Sequence, residues 1–344
     1  MNGPSRRVRI LVTAIAAVLL AAVATTAVVV GRQNAEPAGG SARGRAGTAA
    51  DPVAGAAADV HFPPGTRLDA LSNGLLSTVS LTDPAGPRTV TTRRCDRAYT
   101  AGGTTSCLTP AGALSAPELL VLDKESKVRH SIDLTGLPNR TRVSPDGSKV
   151  AWTLFVGGDS YAGGGFSTRT GILDVRSGQR IDSLEEFAYF RDGRRHRAVD
   201  INVWGVTFAA DPNRFYATVS SKGVRSLVQG DLAAKTLRAL ADNVECPSLS
   251  PDGTRIAFKE AIGADPAKGW RLTVLDLATL RRTRSAEARS VDDQPAWLDD
   301  RNLAYGLQRP DGTNDVWTTR ADGTGKPAVL VAGANSPAVL PAGS

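Results

Sequence analysis

The sequence predicts an all-β chain, a six-bladed β-propeller of four-stranded antiparallel blades preceded by one N-terminal transmembrane helix. Three observations lead there. Two stretches nearly superimpose, Arg142-Val-Ser-Pro-Asp-Gly-Ser-Lys-Val-Ala-Trp152 and Ser248-Leu-Ser-Pro-Asp-Gly-Thr-Arg-Ile-Ala-Phe258, which marks an internal repeat. Strand and turn patterns of the same kind recur at roughly 40 to 65 residues, close to the period of a propeller blade. No long amphipathic helical pattern follows Val30, which argues against a two-domain α/β enzyme.

Residues 1–9 carry Arg6, Arg7 and Arg9 and are expected to stay in the cytoplasm. Residues 10–30 are apolar apart from Thr13, Thr25 and Thr26. As a helix this run is about 31 Å long, which matches a bilayer's hydrocarbon core. It reads as a signal anchor of a single-pass cell-membrane protein whose body lies outside the cytoplasm. The alternative is cleavage at Ala22-Val23-Ala24, which would release a secreted protein. Ser5-Arg6-Arg7 suggests twin-arginine export, although Arg9 stands where that motif takes a large apolar residue. Residues 31–60 are rich in Ala, Gly and Pro without apolar periodicity and read as a disordered tether with a span of about 30 Å.

Residues 61–344 are the expected propeller. In each clear copy of the repeat, Pro145 or Pro251 presets φ, Asp caps the turn, and Gly147 or Gly253 takes positive φ. Val150 and Trp152 then share one strand face, as do Ile256 and Phe258. Weaker copies run from Phe208 to Ala217 and from Pro295 to Tyr305. A third strand ending near an acid follows each copy, as in Thr170-Gly-Ile-Leu-Asp-Val175 and Leu272-Thr-Val-Leu-Asp-Leu277. The blades are expected at 62–93, 94–136, 137–200, 201–242, 243–290 and 291–334. Ser336 to Pro341 reads as one more inner strand, closing the ring on the N-terminal blade. Cys95 and Cys107 enclose the Gly-rich loop DRAYTAGGTTS and are expected to form a local disulfide, in keeping with export. Cys246 is left over, either a buried thiol or an alternative partner for one of the others.

These residues resemble the TolB-like group of WD-type β-propellers: Ser-Pro-Asp-Gly followed by x-x-Ile/Val-Ala-Phe/Trp, with the Val-Leu-Asp-Leu third strand. The resemblance covers residues 137–341 well and 62–136 poorly. It implies the propeller fold and an extracytoplasmic binding scaffold. TolB proteins carry an α/β domain before the propeller and bind envelope proteins such as the Pal lipoprotein. This chain has a membrane segment and tether in that place, so the Tol-Pal role is not carried over.

Composition narrows the function further. The chain's 344 residues suffice for a sizeable core, and 41% hydrophobic with 22% charged residues excludes wholesale disorder. Of the formal +7 charge, +5 lies in residues 1–50, where six arginines face only Glu36. The +2 left for residues 51–344 is too little to neutralise a phosphate backbone, so no nucleic-acid partner is expected.

Chemical motifs are sparse. Gly158-Asp-Ser160-Tyr-Ala162 is one residue from a nucleophile elbow, but it sits in a Gly-rich loop with no hydrolase domain to supply Asp and His. His61, His130 and His196 have no metal-ligand spacing. Arg191 to Arg197 is a basic hairpin, either a solvated turn or a grip for an anionic headgroup or polymer. Asp311-Gly-Thr-Asn-Asp315 and Asp322-Gly-Thr-Gly325 resemble pieces of calcium loops without the spaced glutamate and read as hairpin turns. Neither a cofactor nor a metal is expected.

The connections leading into the innermost strands open on one end of a propeller's channel. They carry Asn139, Arg140, Arg142, Asn202, Trp204, Asn243, Glu245, Asp292, Asp293, Gln294, Asn335 and Ser336. Arg140, Asn202, Trp204, Glu245, Asp292 and Asp293 are the candidate binding residues of this mouth. The expected function is a monomeric, membrane-tethered adaptor that binds an envelope or secreted protein and is not an enzyme. A sensor for a small ligand or carbohydrate, and a hydrolase or lyase using the mouth carboxylates, are the alternatives.

Overall fold

Both clear copies of the repeat fold alike down to their hydrogen bonds. Ser144 Oγ donates to Asp146 Oδ1 at 2.6 Å and accepts the Lys149 amide at 2.9 Å, while the Ser148 amide and hydroxyl donate to the same carboxylate oxygen. In the second copy Ser250 Oγ donates to Asp252 Oδ1 at 2.5 Å and accepts the Arg255 amide at 3.0 Å, with Thr254 in the role of Ser148. Gly147 and Gly253 sit at φ 72° and 71°, a conformation that costs glycine least. Each turn joins the first and second strands of a blade.

The computed structural model describes residues 60–112, 115–157 and 167–343. The expected cytoplasmic residues 1–9, membrane segment 10–30, cleavage site, most of the tether and the Ser160 motif lie outside the described residues. Among the described residues no helix is long and apolar enough to cross a membrane.

Six antiparallel sheets form the blades, numbered one to six in chain order. In blades two to six the first strand in the chain lies innermost, and in blades two, three, five and six the fourth lies outermost. Blade two is Arg97–Ala101, Thr104–Leu108, Glu118–Leu122 and Val128–Asp133. Blade three is Leu137–Val143, Lys149–Val156, Ser167–Asp174 and Arg180–Ile181. Blade four is Asn202–Phe208, Arg214–Ser221, Val224–Asp231 and Thr236–Asp242. Blade five is Glu245–Leu249, Arg255–Ala261, Trp270–Asp276 and Arg282–Arg284, and blade six is Ala296–Trp297, Asn302–Gln308, Asn314–Arg320 and Ala328–Val331.

Blade one takes three strands from the N-terminal side, Arg67–Ser72, Leu75–Ser80 and Thr89–Arg94, and its innermost strand from the C-terminus, Asn335–Leu340. The register pairs Arg67 with Leu340, Leu68 with Val339 and Asp69 with Ala338. The first and last strands of the propeller thus share one sheet, as the reading of Ser336 to Pro341 expected.

The packing shows why no blade stands alone. Six hydrophobic clusters lie among the described residues, one at each blade interface. Leu119, Val150 and Trp152 join blades two and three, while Ala151, Val203 and Phe215 join three and four. Ile256 and Phe258 face blade four, whereas Ala257 between them faces blade six. This alternation is the two-residue period of a strand buried on both faces. The Cys95–Cys107 disulfide, with a Cα–Cα distance of 5.4 Å, belongs to the cluster between blades one and two, and Cys246 is a buried free thiol.

One segment lies elsewhere than expected. Residues 188–196, assigned by sequence to the third blade at 137–200, form a hairpin, Ala188–Arg191 with Arg194–His196, on the outer edge of blade four. Ala188 to Phe190 pair in parallel with Thr236 to Arg238. Arg191 locks the addition by bonding Ser226 and Asp242. A parallel edge pairing has no local sequence signal, because a strand pattern does not name its neighbour.

Candidate mouth of the propeller channel

The inner strands of blades three, four and five all break their ladder at the same end. Register shifts fall between Pro138 and Arg140, between Trp204 and Thr207, and between Glu245 and Ser248. A bulge re-aims the side chains beside it. Those side chains are Arg140, Trp204 and Glu245, three of the residues expected at the mouth. Cys246 takes φ 50°, an uncommon conformation for a residue with a side chain, and its amide donates to Thr218 Oγ1 at 3.0 Å. A Cβ on Gly205, at φ 65°, would come within 2.7 Å of the Cys246 backbone, so glycine there lets the two bulged strands approach.

A cavity of roughly 330 Å³ opens over these bulges. Arg140, Trp204, Glu245 and Asp292 line it, and Asp293 faces the adjoining stretch of channel with Arg97 and Arg140. Asn202 is not part of this group. Its side chain accepts the Thr168 amide at 2.7 Å and donates to the Asp200 carbonyl at 3.2 Å, in a separate recess beside Glu185. It braces blade four against blade three.

Glu245 is buried, and its Oε1 accepts Trp270 Nε1 at 3.0 Å and faces Arg225 Nε at 3.3 Å. Buried Lys259 pairs with Asp292 and sits 4.1 Å from the centre of the Trp270 ring. Burial alone would raise the Asp292 carboxyl, but Lys259, followed by Arg140 and Arg97, holds it below its ordinary value. Asp293 Oδ2 accepts the Gly306 amide at 2.8 Å.

Side chains from opposite blades cross the channel beneath. Arg142 of blade three donates to the Pro295 carbonyl beside blade six at 3.1 Å, and its guanidinium lies 4.1 Å from the Tyr99 ring centre. Gln294 donates to the carbonyls of Val206 and Pro247, on the inner strands of blades four and five. The mouth is therefore a cup with a floor of Arg140, Arg142 and Gln294, walled by Trp204, Trp270 and Phe155.

The connections into the inner strands did not reveal Arg225, Lys259 and Trp270. These come from the ends of second and third strands, which return to the same end of an antiparallel blade, so the loops between those strands carried the missing signal. Arg97 lies at the start of blade two's inner strand, in the region where the repeat is weakest. The other singled-out motifs have structural partners away from the mouth: His130 bonds the Val175 carbonyl, His196 bonds Ser221, and the Asp311 and Asp322 carboxylates accept from Thr313 and Thr324 in their own turns. No group of metal-ligating side chains occurs among the described residues.

No protein-family model matches the chain. A TolB homologue of Chlorobaculum tepidum is 26% identical, over 57% of this chain and 49% of its own. The chain thus spans about half the length of that curated relative. Among solved structures, TolB from Acinetobacter baumannii aligns with a TM-score of 0.56 and 15% identity, over 80% of this chain and 67% of that one. The nidogen/laminin complex aligns with a TM-score of 0.53 and 13% identity, over 80% of this chain and 98% of that one. At such identities the structural likeness shows the fold, a TolB-like six-bladed β-propeller.

Proposed function

From this TolB-like propeller we propose a membrane-tethered adaptor outside the cytoplasm that binds an envelope or secreted protein in the channel mouth. The observation that carries the reading is the mouth itself, where Trp204, Trp270 and a set of arginines surround a cup at one end of a rigid ring. Tryptophan and arginine dominate binding hot spots, and a rigid frame spares the ordering cost of association. The mouth carboxylates are each engaged, by Arg225 and Trp270, by Lys259 or by the Gly306 amide, an arrangement that suits recognition better than acid–base turnover. The relatives add support, since one neighbouring fold is seen in a protein–protein complex. The tether reading comes from residues 10–60 of the sequence.

The test is site-directed photocrosslinking in intact cells from full chains carrying the reactive group at residue 292, in the mouth, or at residue 254, in a turn at the opposite end. The expected result is a discrete partner captured from 292 only, with capture lost when Trp204 is changed to Ala, a hot-spot truncation worth about 2 kcal/mol or more. Equal capture from both ends, or capture indifferent to Trp204→Ala, would remove the mouth as the binding face.

A further inference from the structure

We infer that the mouth recognises a carboxylate carried by an acidic peptide segment of the partner and held between Arg97 and Arg140; this rests on the binding reading above. The cup and the channel below it are lined by five cations, Arg97, Arg140, Arg142, Arg225 and Lys259, against three carboxylates, Glu245, Asp292 and Asp293. Arg225 and Lys259 are taken up by Glu245 and Asp292. None of the other three forms an ion pair within 4 Å among the described residues, and their hydrogen bonds to oxygen go to carbonyls. Arg97 Nε and Arg140 Nη1 share the Asn139 carbonyl at 3.1 and 3.0 Å, Arg140 Nη2 reaches the Asp292 carbonyl at 3.5 Å, and Arg142 Nη2 bonds that of Pro295.

Arg140 and Arg142 are only 8% and 5% exposed, and the buried Nε of each has no hydrogen-bond partner. A guanidinium offers five N–H donors, and leaving a buried one unpaired is costly. Burial, followed by the charge of Arg140, pushes Arg97 below its ordinary value. Arg140 is held above its own, the burial penalty being outweighed by Cys246 and the carboxylates of Asp293 and Asp292. A site that concentrates like charge at the floor of an open cup is charge-complementary to an anion, and the flat fork of arginine matches a carboxylate. Trp204, Trp270 and Phe155 wall the cup above that floor and give apolar faces for the side chains flanking the acid in a peptide.

The test measures fluorescence anisotropy of a labelled penta-aspartate peptide with the detergent-purified full chain. Penta-aspartate is expected to bind at least about tenfold more tightly than penta-asparagine, and more weakly as salt is raised. Arg97→Gln and Arg140→Gln should each weaken it about tenfold or more, while Lys326→Ala, at the far end of blade six, should leave it unchanged. Arg97→Lys keeps the charge without the fork and should weaken binding several-fold, which preserves the test should Arg140→Gln fail to fold. Equal binding of the two peptides, or indifference to both Gln variants, would overturn the proposal. So would displacement of the peptide by equimolar inorganic phosphate, which would make this a small-anion site. If Arg97→Gln retains the photocrosslinked partner and Trp204→Ala loses it, the mouth remains the binding face and the acidic-peptide assignment falls.

Discussion

Reducing the Cys95–Cys107 disulfide should cost the propeller about 3 kcal/mol. The bridge spans 12 residues, and freeing a loop of that length returns chain entropy of this size to the unfolded state. Both sulfurs are buried beside Leu71, Leu120 and Leu122, in the cluster between blades one and two. For a domain of roughly 280 residues the melting entropy is about 0.6 kcal/mol per kelvin, and the loss becomes about 5 °C. Thermal melts of the full chain with and without reductant measure it, with thiol counting under denaturant expected to rise from one to three as the bridge opens. The Cys95→Ala/Cys107→Ala chain should melt lower still, because it also leaves a small cavity. Melting temperatures that agree within a degree, with the thiol count confirming reduction, would refute the claim that the bridge restrains the unfolded chain.

Tyr305 is fully buried, and its hydroxyl donates to Glu287 Oε2 at 2.6 Å, beside the two bonds that Arg289 makes to the same carboxylate. Tyr305→Phe should therefore destabilise by about 1.5 kcal/mol in urea titration, and a cost near zero would show that Arg289 alone satisfies Glu287. The Asp252 carboxyl is held below its ordinary value first by the Ser250 hydroxyl and then by the Thr254 amide and hydroxyl and by Arg255. A depressed folded pKa gives stability that is present above the unfolded value near 4 and is lost as the pH falls toward the folded one. The stability gap between the native chain and Asp252→Asn should thus narrow from pH 6 to pH 3 in thermal melts, and a constant gap would contradict this reading.

The blade pattern was legible because a strand buried on both faces needs apolar residues in near-continuous runs, and a tight turn needs Pro, Asp and Gly in order. Ser144-Pro-Asp-Gly147 and Ser250-Pro-Asp-Gly253 state the turn, and Val150 to Trp152 and Ile256 to Phe258 state the strand. The same local logic found the closing strand at Ser336, since apolar residues there had no other blade to join. Residues 188–196 were misassigned because their pairing with Thr236–Asp242 is set by which edge is free, a fact no local pattern contains.

For the mouth, the sequence by itself determined which connections face one end of the channel, because antiparallel strands alternate direction and each inner strand must begin there. It named Arg140, Trp204, Glu245, Asp292 and Asp293 by that rule. Only the tertiary structure decided how they meet: bulges turn Arg140, Trp204 and Glu245 toward the axis, and Lys259, Trp270 and Arg225 arrive from second and third strands. It also decided that Asn202 faces Thr168 instead. The physical reason is that direction along a strand is a one-dimensional property of the chain, whereas the distance across a closed ring depends on all six blades packing at once.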